Sequence, residues 1–435
     1  MNRCLLAFVC LGISAGGWAA EPVAPQGPLV GLPGKPGPHI DKIKALGDNE
    51  WLELGPPAAD PKWGKARGRS WSARMAYAPD LQGAFLVGQG VHGYIKPDGL
   101  FDDIFFYDVN GNRWICVFPG INTKTYVEDI QSGKFKVNDD GQLVDQEGQP
   151  LFTGYCGHSY MSHTYAPDLR RWVSVGGWNG IIDDQHLRDK PWHREGSRLY
   201  QEQMKGKTNR AKNMPFFYNT LTGKFERPPF DKPMPGFGLT DRVVEYLPSK
   251  KALWLFESRR GETSLGEFET RTWTNTQAKG PTPKGIDFGS CYDSKRDRIY
   301  VCGGSYRGPY TPGEGHIYVY DVKTNTWSNL PDKGGDVASN FASSYACVHY
   351  NSVNDKLVVI VFSENNRQGV FVFDPETGEW AKEPLPLPDK LKLPERHRGD
   401  GHGFYSPEVN AHFLYRAPDS GDDGSMWVYR YKNRH

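Results

Sequence analysis

Short apolar strands alternate with polar turns along the chain from about residue 48 onward. In one recurring pattern an apolar strand ends at a tyrosine, a polar turn follows, and a second apolar strand closes on glycine. The tyrosine occupies six positions: Tyr77, Tyr165, Tyr246, Tyr292, Tyr350 and Tyr405. Short strands rich in β-branched and aromatic residues, bounded by Gly, Pro, Asn and Asp, predict an all-β fold built from repeats.

A second pattern follows each copy of the first. It consists of an aromatic pair, an Asp or its substitute, a tight turn, and an aromatic residue six positions after the Asp. The clearest examples are Asp108 with Trp114, Asp321 with Trp327 and Asp374 with Trp380. This spacing predicts a hairpin whose Trp packs between neighbouring units. Each unit then has four strands, named a to d in chain order.

The repeated unit resembles the kelch repeat, whose signature is a Gly-Gly pair after strand b and a spaced Tyr and Trp further on. The matching residues are Gly176-Gly177, Gly303-Gly304 and the Tyr320 to Trp327 spacing. The resemblance to kelch-repeat and galactose-oxidase-like propellers covers roughly residues 48–431 and implies a single β-propeller. The six tyrosines favour six blades, and two long gaps between them leave a seventh open.

The two ends of the repeat region predict how the ring closes. The sixth unit stops after residues 425–431, which form its strand c, so it has no strand d. Upstream of the first unit, residues 49–56 look like an isolated strand d, with Trp51 at the expected place. We therefore expect the N-terminal strand to complete the last blade, because closure removes exposed sheet edges.

The long connections fall on one side of the predicted propeller. In a four-stranded meander the a–b and c–d turns lie at one rim, here called the turn face, and the b–c and d–a loops lie at the other, the loop face. The short turns belong to the turn face. The loop face receives insertions at about 120–156 and 179–214, and a longer connection at 384–399. Loops above ~12–15 residues are usually functional or disordered, so we expect a ligand site at the channel mouth on the loop face.

Candidate functional side chains collect on the same face. The catalytic candidates are His, Tyr and Arg residues of the first three units: His92, His158, His163, Tyr200 and Arg242. The ligand-binding candidates are Tyr160, Trp178, Arg259, Tyr306 and His402. His158 and His163 are five positions apart on an extended segment, so their side chains point to opposite faces and at most one faces the channel.

Two functions fit these residues. The favoured one is a binding module that presents aromatic side chains to a carbohydrate, or loops to a protein. The alternative is a polysaccharide lyase that performs β-elimination on uronate polymers such as ulvan, with a base, an acid and a cation. Its likeness to propeller ulvan lyases is one of architecture and residue type only. A copper-radical oxidase is disfavoured because His349-Tyr350 reverses that family's Tyr-His order at a repeat position.

Composition and the N-terminal sequence indicate the class of partner and the cellular location of the protein. Lys and Arg total 52 against 51 Asp and Glu, so the chain lacks the basic excess of nucleic-acid-binding proteins. Residues 1–20 read as a bacterial-type signal peptide, 21–47 as a Pro/Gly-rich linker and 48–435 as the propeller. These features predict a monomer exported to the periplasm or beyond, with no transmembrane segment.

No cofactor or metal is indicated by the sequence. The cysteines are not at metal-ligand spacing. In an exported protein Cys291 with Cys302, and Cys116 with Cys156, could form disulfides, and buried thiols are the equal alternative.

Overall fold

The computed structural model shows six four-stranded antiparallel sheets. It describes residues 25–69, 74–88, 95–153, 161–175, 181, 185–235, 242–305, 315–334, 346–361, 368–392, 401–418, 421 and 423–432. Each sheet is a meander and forms one blade of a six-bladed β-propeller, as the tyrosine count favoured.

The blades take their strands in the following order. The N-terminal strand is β1 (Glu50–Gly55), which belongs to blade 6. Blade 1 contains β2 (Ala76–Ala78), β3 (Gly83–Gly88), β5 (Asp103–Asp108) and β6 (Arg113–Phe118). Blade 2 contains β10 (His163–Ala166), β11 (Arg171–Ser174), β12 (Phe216–Asn219) and β13 (Lys224–Glu226). Blade 3 contains β14 (Arg242–Leu247), β15 (Ala252–Glu257), β16 (Glu262–Glu267) and β17 (Thr272–Asn275).

The remaining blades follow the same plan. Blade 4 contains β18 (Ile286–Asp293), β19 (Arg298–Ser305), β20 (Ile317–Asp321) and β21 (Thr326–Leu330). Blade 5 contains β22 (Cys347–Asn351), β23 (Lys356–Val361), β24 (Gly369–Asp374) and β25 (Glu379–Trp380). Blade 6 contains β26 (Gly401–Ser406), β27 (Ala411–Arg416) and β28 (Ser425–Arg430), followed by β1.

Elements outside the blades lie in the connections. Two short two-stranded sheets pair β4 (Leu100–Phe101) with β7 (Ile121–Asn122) and β8 (Lys136–Val137) with β9 (Leu143–Val144). The α-helices whose full extent lies among the described residues are α1 (His39–Lys44), α2 (Tyr126–Gln131) and α3 (Pro191–Met204). Short 3₁₀ turns occur at Pro79–Leu81, Pro167–Leu169, Gln185–Leu187, Arg210–Asn213 and Asp389–Leu391. None of the helices in the described ranges has the length and apolar character needed to cross a membrane.

The innermost strands of the blades form a closed ring. Each strand a lies beside the next, from β2 through β10, β14, β18 and β22 to β26, which returns to β2. An apolar cluster fills every seam between neighbouring blades, and the cluster between blades 6 and 1 includes Phe105, Trp114 and Phe413. The hydrophobic core of the propeller is therefore divided into clusters, one at each interface between neighbouring blades.

A left-handed residue shapes every a–b turn. It stands five positions after the repeated tyrosine in all six copies: Gln82, Arg170, Lys251, Asp297, Asp355 and Asn410. Where this residue is Asp or Asn, the tyrosine of the same blade donates to it, as Tyr292 does to Asp297 at 2.8 Å. Short polar side chains tolerate this backbone region well. The local sequence thus sets both the turn and its hydrogen bond.

In the other three blades the tyrosine reaches the blade before it. Tyr165 of blade 2 donates to Asp80 of blade 1 at 3.0 Å, and Tyr246 of blade 3 donates to Asp168 of blade 2 at 2.9 Å. Tyr77 likewise donates to Glu408. All six tyrosines therefore have structural hydrogen bonds on the turn face.

Blade 6 receives its outer strand from the N-terminal part of the chain. β1 pairs antiparallel with β28, from Glu50 opposite Arg430 to Glu53 opposite Trp427. Tyr429 donates to the side chain of Asn49 at 3.0 Å. In an unbroken blade, Tyr320 donates to Asn325 at 2.8 Å in the same way. β1 and Asn49 thus occupy the places that strand d and its turn occupy in the other blades.

The segment expected as a linker, 21–47, packs against the propeller wherever it is described, from residue 25 onward. It crosses the turn face of three blades and buries Leu29, Ile40 and Ile43. Its hydrogen bonds join, in chain order, Gln26 to Leu221, Gly37 to Asn110 and Ile43 to Arg430. This segment therefore holds blades 2, 1 and 6 together on the side opposite the insertions.

Candidate functional site

The central channel is crossed by one side chain. Arg74 lies directly before β2 in blade 1, and its guanidinium donates to the carbonyl of Val244 at 2.8 Å and to the carboxylate of Glu245 in blade 3. It also donates to Ser290 Oγ in blade 4 at 2.8 Å. Blade 4 lies opposite blade 1 in a ring of six, so the guanidinium spans the channel.

On the turn-face side of this crossing, the strands a enclose a cavity of about 230 Å³. Its lining includes the repeated tyrosines of blades 1, 2, 4, 5 and 6. Because Arg74 and Glu245 also line it, the cavity has a charged floor. The Arg74 guanidinium is already occupied by partners in blades 2, 3 and 4.

A group of charged and histidine side chains lies at the opposite end of the ring. We call Arg69, Lys96, Asp103, His163 and His402 the loop-end cluster. Asp103 accepts from Arg69 and, at 2.9 Å, from the Lys96 ammonium. The backbone N–H of Arg69 donates to His402 Nε2 at 3.1 Å. Asp103, His163 and His402 lie where strands c and a begin, which places the cluster on the loop face.

Two members of the loop-end cluster carry buried polar atoms without a hydrogen-bond partner among the described residues. These atoms are Nε and Nη1 of Arg69, whose side chain is 1% exposed, and Nε2 of His163. A buried donor without an acceptor costs about 1–3 kcal/mol, and more when it is charged. Such groups in folded proteins usually meet ordered water or a ligand.

The two histidines of the cluster are neutral. Burial, followed by the positive charge of Arg74, lowers the pKa of His163 to about 3. The Trp172 indole N–H faces His163 Nδ1 at 3.4 Å, which places the imidazole proton on Nε2. His402 accepts at Nε2 and therefore carries its proton on Nδ1. A base with a pKa near 3 removes protons poorly at neutral pH.

The other described candidates lie in separate surroundings. Tyr200, 1% exposed, donates to the carbonyl of Gly141 at 2.6 Å within the insertions. Arg242, 2% exposed, donates to the carbonyl of Val175 at 2.9 Å between blades 2 and 3. Arg259 is exposed after β15. The structure thus brings His163 and His402 close enough to interact electrostatically, and gives Tyr200 and Arg242 other contacts.

Five of the predicted site residues lie outside the described part of the chain. They are His92, His158, Tyr160, Trp178 and Tyr306. Their assignment stays a prediction.

The two insertions form one module beside the loop-end cluster. Tyr126, Ile130, Leu143, Leu187 and Tyr200 share an apolar core that joins both insertions. Helix α3 approaches α2 so closely that a Cβ on Gly196 would lie 2.3 Å from the Tyr126 ring. The sequence patterns did not predict α3. The insertions therefore extend the loop face of blades 1 and 2 as a folded layer.

The described residues form neither a metal-binding cluster nor a disulfide. Among them no group of three or more His, Cys, Asp or Glu side chains is arranged to hold a metal ion. Cys116, Cys291, Cys302 and Cys347 are buried free thiols, so the possible bridge between Cys291 and Cys302 is not formed. Burial raises the pKa of the Cys302 thiol well above its ordinary value, which keeps it protonated.

Sequence reasoning missed Arg69, Lys96 and Asp103. They come from three separate segments, before strand a, after strand b and at the start of strand c of blade 1. The ion pairs exist only after the blade has folded, and no local pattern of sequence indicates them.

Comparison with known proteins agrees with the architecture. The Kelch motif family profile matches residues 294–334, which cover β19, β20 and β21 of blade 4. The chain is a six-bladed β-propeller that carries a Kelch motif in blade 4.

Relatives of this propeller match it in part. The Rab9 effector protein with kelch motifs from Bos taurus is 37% identical over 98 residues, which are 21% of this chain and 26% of the bovine protein. The match thus spans about a quarter of the bovine protein's length.

Two solved structures of oligogalacturonate lyase resemble the propeller weakly. One, in complex with manganese, is 11% identical with a TM-score of 0.39. The other, from Vibrio parahaemolyticus, is 10% identical with a TM-score of 0.38. Both alignments cover 88% of this chain and 98% of the lyase. Likeness at this level carries no information on activity.

Proposed function

We propose that this propeller binds an acidic carbohydrate on its loop face, above the loop-end cluster of blades 6, 1 and 2. The observation that carries the proposal is the set of buried donors on Arg69 and His163 that no described group accepts. A sugar carboxylate and a sugar hydroxyl are acceptors of the required kind.

The charges of the cluster favour an acidic sugar over a neutral one. Arg69 and Lys96 share the single carboxylate of Asp103, which leaves one positive charge in excess. Both histidines are neutral and add no charge. A uronate carboxylate would pair with the Arg69 guanidinium through charge-assisted hydrogen bonds.

Binding is better supported than lyase chemistry. A lyase needs a base near neutrality, and the His163 imidazole has a pKa of about 3. Tyr200 and Arg242, the acid and cation candidates of the described chain, hold other hydrogen bonds. The aromatic candidates Tyr160, Trp178 and Tyr306 remain proposed sugar-stacking residues. The same proposal includes two further points. Residues 1–20 act as a signal peptide that directs export, and the protein is a monomer.

Calorimetric titration of the full chain with oligogalacturonate and with neutral galacto-oligosaccharides of equal length tests this function. We expect saturable binding of the acidic oligomer only. Arg69→Lys keeps the charge and removes the Nε and Nη1 donors, so it should weaken binding about tenfold or more. Arg198→Gln, on the exposed side of α3, is the matched control and should bind as the original protein does.

Two results would contradict the proposal. Equal affinity for acidic and neutral oligomers would remove the role of the Arg69 charge. Unchanged affinity in a folded Arg69→Lys protein, with its urea midpoint measured in parallel, would remove the role of its donors. Ultraviolet absorbance of an unsaturated product during the titration would show that the site is a lyase.

A further inference from the structure

A second cleft lies on the outer wall of the propeller, between blades 2 and 3, away from the loop-end cluster. Its volume is about 340 Å³. Three of its lining side chains are arginines and the rest are one acid and three apolar residues: Arg210, Arg227, Arg271, Asp231, Pro228, Pro229 and Phe230.

The three arginines reach the cleft from separate elements. Arg210 ends the second insertion, Arg227 directly follows β13 of blade 2, and Arg271 stands in the c–d turn of blade 3. Phe230 fixes the floor, because its ring packs 4.8 Å from Trp273 and is 2% exposed. The position of the cleft is thus set by the seam between the blades.

Arg271 departs from the repeat. Its backbone is left-handed, with φ of 56°. The matching turn position is Asn or Gly in the other unbroken blades: Asn112, Gly223, Asn325 and Gly378. Those residues adopt this conformation most readily. Blade 3 therefore has the long, positively charged side chain of Arg271 at a turn position where the other blades have Asn or Gly. This side chain lines the cleft.

The arginines are only partly neutralised. Arg227 pairs with Asp140 at 2.6 Å, and Arg271 pairs with Asp231 at 2.8 Å. Arg210 is 3.7 Å from Asp140. Three guanidinium groups thus face two carboxylates, with an excess of one positive charge. Each guanidinium has five N–H donors, and these ion pairs use a minority of them.

We propose that this cleft binds a tetrahedral oxyanion, a sulfate or phosphate group. Three guanidinium groups reach the cleft from three separate elements, and together they offer donors to acceptor oxygens spread over a tetrahedron. A planar carboxylate is instead held by one or two arginines in a single plane. Pro228 and Pro229 form an apolar wall beside the charge. The site is independent of the acidic-carbohydrate site on the loop face.

Calorimetric titration of the full-length protein with sodium sulfate, with sodium chloride holding the ionic strength constant, tests the proposal. We expect saturable binding of sulfate, and weaker binding of acetate. Titrations with galactose 6-sulfate and with galactose then show whether the cleft binds a sulfate ester as well as the free sulfate anion. Binding should weaken as salt is raised, because the arginines are half exposed and screened.

Two variants locate the site. Arg271→Asn installs the residue that Asn112 and Asn325 place at this turn position, so it keeps the fold and removes one cation. Arg227→Gln removes another. Each should weaken sulfate binding about tenfold. Arg113→Gln, at the start of β6 in blade 1, is the control and should leave binding unchanged.

The proposal is overturned by absence of saturable sulfate binding, by equal binding of acetate, or by unchanged affinity in Arg271→Asn. None of these results bears on oligogalacturonate binding at Arg69, so the two sites are tested separately.

Discussion

At the scale of single residues, Arg74 joins more of the molecule than any local pattern suggests. Its guanidinium contacts backbone or side-chain oxygens in blades 2, 3 and 4. The Glu245 carboxylate accepts from both Arg74 and, at 2.6 Å, the Ser290 hydroxyl. Glu245 is buried, and this arginine supplies its counter-charge. One side chain therefore ties four blades together inside the channel.

Arg74→Met should lower the free energy of unfolding by about 3–5 kcal/mol, because it leaves the Glu245 carboxylate buried without its cation. Urea denaturation followed by circular dichroism measures this. Arg74→Met combined with Glu245→Gln removes the charge as well and should regain part of the loss. A double variant no more stable than the single one would show that the pair's charge is not the cause.

At the scale of elements, β1 turns an open series of repeats into a ring. Its Trp51 ring lies 4.7 Å from Tyr429 of β28. In blade 4 the Trp327 and Tyr320 rings lie 5.5 Å apart. Asn49 precedes Trp51 by two positions, as Asn325 precedes Trp327. A strand from the far end of the chain therefore makes the contacts of a strand d, and the edge of β28 is covered.

Trp51→Ala should weaken the docking of β1 by about 2–3 kcal/mol, since it removes a large, partly buried ring. Hydrogen exchange should then quicken at the β28 amides, while the amides of β20 stay protected. Trp63→Ala is the control, because Trp63 is 36% exposed and lies outside the blades. Equal protection of β28 in the original protein and Trp51→Ala would contradict a closing role for Trp51.

At the scale of the whole molecule, three buried histidines make the ring sensitive to acid. His163 lies in blade 2, while His349 and His412 stack across the seam of blades 5 and 6 with their Nδ1 atoms 3.0 Å apart. Burial lowers the pKa of His163 and His349 to about 3 and that of His412 well below its ordinary value. All three are neutral in the folded protein.

The contribution of these histidines to stability should be fully present well above their ordinary pKa of about 6.5 and should be lost as the pH falls from there toward the folded-state pKa values. In this range the unfolded chain binds protons that the folded chain does not. The slope should reach about 1.4 kcal/mol per pH unit for each histidine. Urea denaturation at pH 7.5, 6.0 and 5.0 measures it.

His412→Leu should remove about a third of that slope, whatever it does to stability at pH 7.5. His39 lies in α1, outside the blades, and its Nε2 contacts the carbonyl of Val109. His39→Gln therefore serves as the control and should keep the full slope. An unchanged slope in His412→Leu would show that the buried pair does not cause the acid sensitivity.

Much of the fold could be read from local spacing. The left-handed turn residue stands five positions after the repeated tyrosine in every blade, and Asn325 accepts from Tyr320 across the same separation, so these features recur wherever the spacing recurs. Six such copies, and an unmatched strand at each end, were enough to predict the blade number and the place of Trp51.

The functional chemistry depended on the closed ring. Arg74 meets Glu245 only because blades 1 and 3 both face the central channel, and Arg69 meets Asp103 only because the strands of blade 1 are paired. His163 and His402 were chosen from their positions at strand starts, but the burial of both and the lowered pKa of His163 follow from packing. Contacts within a repeat have a fixed separation along the chain and leave a pattern in it. Contacts between blades have none, because the curvature of the ring and the paths of the insertions decide which side chains meet.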